Sequence, residues 1–251
     1  MPPGAADRGT IVHDILSKFA EAHPGALPAD AAARLHQIGL DAFQTVAEAH
    51  PHLYAEWWPR FQRLATEYLR WEEARRGEIA EIAVESSGTL DIPLPGHGFF
   101  KLRARADRIE RRRDGSYAVV DFKTGQPPGL REVFAGFSPQ LTLEAAMLTR
   151  GAFGDVGTAK ACPDLLYVHV SGGRKSIDPR PIDPPKDESR TTAQLVDQHL
   201  ARLTGLVARF VAGEAAYLSR PYPKYAKRYS DYDHLARVKE WSAASAEEDA
   251  P

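Results

Sequence analysis

The stretch from Arg103 to Lys123 constrains this chain more than any other. Arg103-Ala104-Arg105-Ala106-Asp107-Arg108-Ile109 and Tyr117-Ala118-Val119-Val120-Asp121-Phe122-Lys123 both read as strands, and Asp114-Gly115 between them is a hairpin signal. The turn decides the pairing. A three-residue loop, Arg113-Asp114-Gly115, pairs Arg112 with Ser116 and sets Asp107 opposite Asp121, with Gly115 in the left-handed position that such a loop needs. A two-residue loop sets Asp107 opposite Phe122 and sends the two acids to different faces. In the three-residue register the carboxylates lie within about 5 Å of each other. Lys123, two residues on, then shares their face.

Helical spacing precedes this hairpin. Ile11, Val12, Ile15, Leu16 and Phe19 form one apolar stripe, with Thr10 as the expected N-cap and His23-Pro24-Gly25 as the stop. Further helices are predicted from Ala29 to Ala49 and from about Trp57 to Arg76, the latter ended by Gly77. The pattern then alternates: Ile82 to Val84, Thr89 to Leu94 and Phe99 to Ile109 are predicted strands. After the hairpin come a helix from Gln140 to Thr149, with Ser138 as cap and Pro139 at its first position, a strand from Asp164 to Val170, and a helix from Thr191 to about Ala212. The expected fold is mixed α/β, a central mixed sheet flanked by helices. Residues 1–78 form a helical region, 79–218 the core, and 219–251 an extension with a disordered acidic tail.

Two acids and a lysine on one sheet face suit a divalent-metal site. Oxygen ligands favour Mg²⁺ or Mn²⁺, which keep several waters and accept phosphate oxygens as further ligands. Phosphodiester hydrolysis is the matching chemistry, with Lys123 orienting the attacking water or neutralising the pentavalent state. The alternative, a surface hairpin with solvated charges, must explain why the polar residues alternate with Ala118, Val120 and Phe122.

Composition permits this without demanding it. The net charge of −2 does not mark a nucleic-acid binder, although arginines cluster at Arg103, Arg105, Arg108 and Arg111 to Arg113, and a second basic group runs from Arg220 to Arg228. One cysteine, Cys162, rules out an intramolecular disulfide and an all-cysteine zinc or iron–sulfur site within the chain. No apolar run approaches the roughly 20 residues needed to span a bilayer, and the first residues lack the regions of a signal peptide. A cytoplasmic protein with no membrane partner is expected.

These motifs resemble the PD-(D/E)XK nuclease superfamily, and within it the RecB-like nucleases. The resemblance implies a restriction-endonuclease-like core and specific roles. Gly9-Thr10-Ile11-Val12-His13-Asp14 is similar to the family's N-terminal helix motif, which makes His13 a metal ligand. Asp107 matches the first acid, and Asp121-Phe122-Lys123 the second acid and the lysine, with the Phe122 carbonyl a further ligand. Gln140 matches the family's glutamine on the helix after the sheet, and Glu85 fits an auxiliary carboxylate on the preceding strand.

Trp57-Trp58-Pro59-Arg60-Phe61 and the stretch from Tyr232 to Trp241 are similar to the nuclease domain of the AddB family of helicase–nuclease subunits, of alphaproteobacterial type. That likeness implies a domain rather than a whole subunit. It also implies an AddA-type helicase–nuclease partner, a single-stranded DNA end as substrate, exonuclease action and a role in double-strand break repair by homologous recombination. The chain departs from the family at Ala104, where a glycine is frequent, at Glu144, where an aromatic is frequent, and in lacking four cysteines for an iron–sulfur cluster. None of these removes a metal ligand. The competing expectation is a non-catalytic module of the same fold that binds DNA or docks a partner.

Arg103 and Arg105 alternate onto the face of Asp107 and are candidate phosphate contacts. Arg108 and Arg111 to Arg113 are expected at a solvated hairpin tip, Trp57, Trp58 and Trp71 in packing, and Cys162 as inert.

Overall fold

The computed structural model describes residues 3–173 and 175–216. The expected extension, the basic group from Arg220 to Arg228 and the stretch from Tyr232 to Trp241 lie outside the described residues. Three helices come first: α1 (Ala5–Ala22), α2 (Ala31–Ala49) and α3 (Pro51–Arg76). The strands β1 (Ile79–Leu94), β2 (Gly98–Arg112) and β3 (Tyr117–Lys123) follow. Then come α4 (Leu130–Ala135), α5 (Gln140–Leu148), β4 (Asp164–Val170), β5 (Ile177–Pro181) and α6 (Thr192–Val211). The strands form one mixed sheet in the order β1-β2-β3-β4-β5, parallel only between β3 and β4. α4 and α5 lie within the crossover that a parallel pair requires.

The sheet is covered on both faces. On one, Val120, Phe122, Leu166 and Val168 pack with Leu16 and Phe19 of α1 and Tyr68 of α3. On the other, Val119, Leu165 and Tyr167 pack with Ala145 and Leu148 of α5 and Leu195 of α6. β3 is therefore apolar at consecutive positions, as expected of a central strand. Each fully buried aliphatic or aromatic side chain here contributes about 1.5–3 kcal/mol. Asp121 is the acid buried within that strand.

The hairpin adopts the three-residue register. Arg108, Ile109, Glu110 and Arg111 pair with Val120, Val119, Ala118 and Tyr117, and Arg112 N–H donates to Ser116 O at 2.8 Å. Gly115 has φ 84°, and the Asp114 carboxylate accepts the Ser116 N–H at 2.8 Å, which closes the turn.

Several local expectations are corrected. Thr10 is not a cap: α1 starts a turn and a half earlier, behind Gly4, whose N–H donates to Asp7 Oδ2 at 2.7 Å, and the Thr10 hydroxyl donates to Ala6 O at 3.2 Å. α3 begins at Pro51, because a proline at the first helical position lacks only an N–H that would be unpaired there anyway. The residue before α5 is Pro139, and Ser138 makes no capping bond. The two strands expected between Ile82 and Leu94 are one, β1. Gly88 keeps it continuous by admitting Phe153, whose ring would lie 2.7 Å from a Cβ at that position.

Arg108 is the largest correction. It is fully buried, not solvated, and is ion-paired with Glu72 of α3 and Glu110 of β2 while its guanidinium lies 5.3 Å from the Trp71 ring centre. Arg76 pairs with the same Glu72 at 2.5 Å. Burial works to raise the Glu72 carboxyl, but Arg108 and Arg76 outweigh it and hold its pKa below the usual value. This charged joint fastens α3 to β2 next to Asp107.

Candidate active site

Strand pairing between β2 and β3 runs from Arg111–Tyr117 to Arg108–Val120 and stops there. Beyond that point β3 continues beside β4 through Lys123, and β2 continues back beside β1. The sheet forks at the position where Asp107 and Asp121 would be the next pair. Asp107 Oδ2 accepts the Phe122 N–H at 2.9 Å, so a side chain replaces the backbone partner that β3 loses at the fork.

On the β3 side, Lys123 Nζ donates to Asp121 Oδ1 at 2.9 Å and to Gln140 Oε1 at 3.1 Å. Gln140 Nε2 donates to Asp121 Oδ1 at 2.6 Å and to Glu144 Oε1 at 3.2 Å. Position on α5 explains this set: Gln140 opens the helix over the end of β3, and Glu144, one turn on, faces the same way. Tyr167, the β4 partner of Asp121, puts its ring 5.8 Å from Lys123 Nζ.

On the β2 side stands α1. His13 Nδ1 lies 3.6 Å from Asp107 Oδ2, and the His13 ring meets Phe122 edge-on at 6.5 Å. Gly9, one turn before His13, allows the approach, because a Cβ there would sit 2.6 Å from the Thr124 hydroxyl. Glu85 lies on β1 between the pairs Val84–Arg108 and Ser86–Ala106, with φ 51°, an unusual conformation for a residue other than glycine. Its carboxylate accepts from Ser17 Oγ at 2.9 Å and pairs with Arg105 at 2.5 Å. Arg105 is thus committed to Glu85, and Arg103 is exposed on β2 across from Thr89.

The acids raise one another's cost. Burial first, then the charge of Asp121, pushes Asp107 up to about 6, against the pull of the Phe122 N–H and His13. Burial also raises Asp121, countered by Lys123 and Gln140. Glu144 is pushed up to about 8 by burial, with the charges of Asp121 and Asp107 adding to it. At neutral pH Glu144 is therefore a neutral acid inside the cluster. In the sequence Glu144 stands out as a departure from the family and by its one-turn spacing from Gln140, which suits the flank of a capped helix; its place beside the two aspartates is not legible there.

Among the described residues, no three His, Cys, Asp or Glu groups already converge closely enough to cage a metal ion. The donor set nonetheless fits one. Asp121 Oδ2 is buried with no aligned hydrogen-bond donor, although Lys123 Nζ stands 2.8 Å away as an ion-pair contact. Two carboxylates with an imidazole beside them are donors of the kind that would suit Mg²⁺ or Mn²⁺.

The profile of the PD-(D/E)XK nuclease superfamily matches residues 2–226. This chain belongs to the PD-(D/E)XK nuclease superfamily. Enzymes of this superfamily generally use divalent metals such as Mg²⁺, and the five-stranded mixed sheet with flanking helices is the restriction-endonuclease-like fold. Among relatives, an uncharacterised protein of Rickettsia bellii is 25% identical over 245 residues, which is 93% of this chain and 28% of that protein. An uncharacterised protein of Rickettsia conorii is 23% identical over 94% of this chain and 30% of its own length. This PD-(D/E)XK chain thus spans less than a third of the length of these relatives. A solved structure, that of SSO0001, is 18% identical and aligns over 79% of this chain and 87% of its own, with a TM-score of 0.32. No helix among the described residues is long and apolar enough to cross a membrane.

Proposed function

We propose that this chain is a Mg²⁺- or Mn²⁺-dependent deoxyribonuclease domain that hydrolyses single-stranded DNA ends. The observation that carries the reading is the forked site: Asp107 and Asp121 at the parting of β2 and β3, His13 against the first and Lys123 paired with the second. Asp107, Asp121, His13 and the Phe122 carbonyl would hold the metal, with Glu85 as an auxiliary carboxylate. A bound divalent cation lowers the pKa of the attacking water and offsets charge growing on phosphorus.

The chain's own residues do the rest. Lys123 offers a cation to the phosphate oxygens where charge develops. Gln140 fixes both Lys123 and Asp121, so these need no rearrangement as the reaction proceeds. The Glu144 carboxyl accepts from Gln140 through Oε1. A neutral acid there avoids a third repelling charge beside Asp107 and Asp121.

We further read this domain as part of a larger AddB-type subunit that receives a strand from an AddA-type helicase partner during recombinational repair of double-strand breaks. Three points support that reading: the similarity of Trp57-Trp58-Pro59-Arg60-Phe61, the greater length of the relatives, and a net charge of −2, which favours substrate delivery by a partner over strong capture by this domain. The test of the nuclease reading is cleavage of labelled single-stranded DNA with Mg²⁺ or Mn²⁺ by the purified chain and by Asp121→Ala. Cleavage confined to the wild type supports it; equal cleavage by both places the chemistry elsewhere.

A further inference from the structure

The parallel strands β3 and β4 end beside each other and lead into two turns, Thr124-Gly125 after β3 and Ser171-Gly172-Gly173 after β4. Ligands of open sheets collect beyond this end of parallel strands. Two helices border the turns. Arg8 of α1 and Arg60 of α3 line one narrow cleft with Thr124, Ser171 and Gly172. Gly172 also lines a wider groove of about 570 Å³, walled by Arg63, Thr66 and Arg70 of α3 on one side and by Gly173 and Ser176 on the other. Groove and cleft together reach Thr124, the residue that follows Lys123.

Ion pairing decides what charge this face carries. Arg60 is paired with Glu56 at 2.9 Å and Arg70 with Glu67 at 2.5 Å, and Lys175 beyond the turn is paired with Asp178. Arg8 and Arg63 have no carboxylate partner among the described residues. Asp7, next to Arg8, accepts instead from the Gly4 N–H at 2.7 Å. The face is therefore left with two uncompensated positive charges.

The scaffold holds these cations in place. Arg63 Nη2 donates to Gly172 O at 2.9 Å, which fixes the guanidinium at the turn and leaves the rest of its N–H fork free. A Cβ at Gly172 would lie 2.4 Å from Arg60 Cβ, so α3 and the turn meet this closely only around a glycine. Gly125 has the opposite character: a Cβ there would meet nothing within 4 Å, and its backbone stands open beside Thr124.

We propose that this face holds the phosphate backbone of the single DNA strand on one side of the bond that is cut. Phosphates lie against Arg63 in the groove and against Arg8 at the mouth of the cleft, and the strand passes over Thr124 and Gly125 to the metal-binding side. Contacts to phosphates position a strand without reading its sequence. The proposal rests on the nuclease reading above and adds the path of its substrate. An acidic protein segment would meet the same charges, but it gives no reason for the cleft to end beside Lys123.

The test is binding of a short fluorescent oligothymidylate to the whole chain in EDTA, followed by anisotropy across a range of salt. Arg8→Gln and Arg63→Gln are each expected to flatten the log–log salt dependence by about 0.7, as one lost phosphate contact to a single strand does. The double variant should flatten it by about 1.4 and weaken binding about tenfold. Glutamine is a good helix former, so α1 and α3 are kept. Arg209→Gln, the loss of one charge at an exposed position on α6, should leave the slope unchanged. With metal, the double variant should raise KM about tenfold at nearly constant kcat, because these contacts are made equally before and during the reaction. If the double variant binds as the wild type does while the wild type cuts DNA, or if Arg209→Gln flattens the slope equally, the strand runs elsewhere: the proposal fails and the nuclease reading stands. If the variants lose binding but the wild type cuts nothing with Mg²⁺ or Mn²⁺, only the nuclease reading fails. If the wild type neither binds nor cuts DNA, both fail.

Discussion

Asp107 on β2 accepts the backbone N–H of Phe122 on β3 at 2.9 Å, so one carboxylate both stands 3.6 Å from His13 and ties the two strands at their fork. The two duties separate by substitution. Asp107→Asn keeps an oxygen acceptor for Phe122 and loses the charge, whereas Asp107→Ala leaves that N–H unpaired. Both variants should lose cleavage by about a hundredfold or more. In thermal unfolding, Asp107→Ala should be less stable than Asp107→Asn by roughly 1–2 kcal/mol. Equal stability of the two would show that the bond to Phe122 contributes nothing.

Glu144 predicts a pH dependence of metal-free stability. Its folded pKa of about 8 lies above the ordinary glutamate value, so the folded state binds the proton more tightly than the unfolded state. Stability from this group is full below the unfolded pKa and is lost as pH rises towards the folded one, between about 4.5 and 8. Glu144→Gln removes that loss and keeps an acceptor for Gln140. In EDTA, denaturant unfolding should show Glu144→Gln more stable than wild type at pH 8, by roughly 1–3 kcal/mol, with the difference shrinking at pH 5. A constant difference across this range would mean that Glu144 is already ionised in the fold.

The buried joint of Arg108, Glu72 and Glu110 predicts asymmetric costs. Arg108→Ala takes one cation from two buried carboxylates, leaving Glu72 with Arg76 and Glu110 with Arg75, and should destabilise by about 3 kcal/mol. The combined change Arg108→Met, Glu72→Leu and Glu110→Leu removes these three charges but leaves Arg76 and Arg75 without their carboxylates, so it should recover part of the loss. Chemical unfolding of the single and triple variants checks this; a triple variant as unstable as Arg108→Ala would count against it.

What the sequence discloses follows from how local each cause is. The bounds of β3 and β4 are legible because apolar runs between turn residues are local, and the hairpin register follows from Gly115 needing a positive φ. Thus Asp107, Asp121 and Lys123 emerge together from sequence. β5 does not, because Ile177-Asp-Pro-Arg-Pro181 reads as a loop; only its place at the sheet edge, where a missing N–H costs little, makes two prolines acceptable. α4, six residues long, is too short to show helical periodicity. Arg108 looks solvated because its partner Glu72 lies on another element, and burial by a distant partner leaves no local trace. Glu144 escapes for the same reason: its neighbours Asp121 and Asp107 are brought to it by the sheet.

Gly9 offers a positional test of α1. A Cβ at this residue would clash with the Thr124 hydroxyl at 2.6 Å, so Gly9→Val should push the helix off the loop after β3 and carry His13 away from Asp107. Cleavage should fall by at least tenfold, as expected when a positioned group is displaced by about 1 Å, while far-UV circular dichroism stays unchanged. Wild-type rates in Gly9→Val would mean that α1 does not need this close contact to serve the site.

The central claim is that α1, β2 and β3 each contribute a ligand to one divalent cation. Mn²⁺ binding followed by electron paramagnetic resonance, on the wild type and on His13→Ala, Asp107→Asn and Asp121→Asn, tests it most directly. One site is expected in the wild type, weakened about tenfold or more by each substitution. A wild type that binds no Mn²⁺, or three variants that bind it as tightly as the wild type, would contradict it.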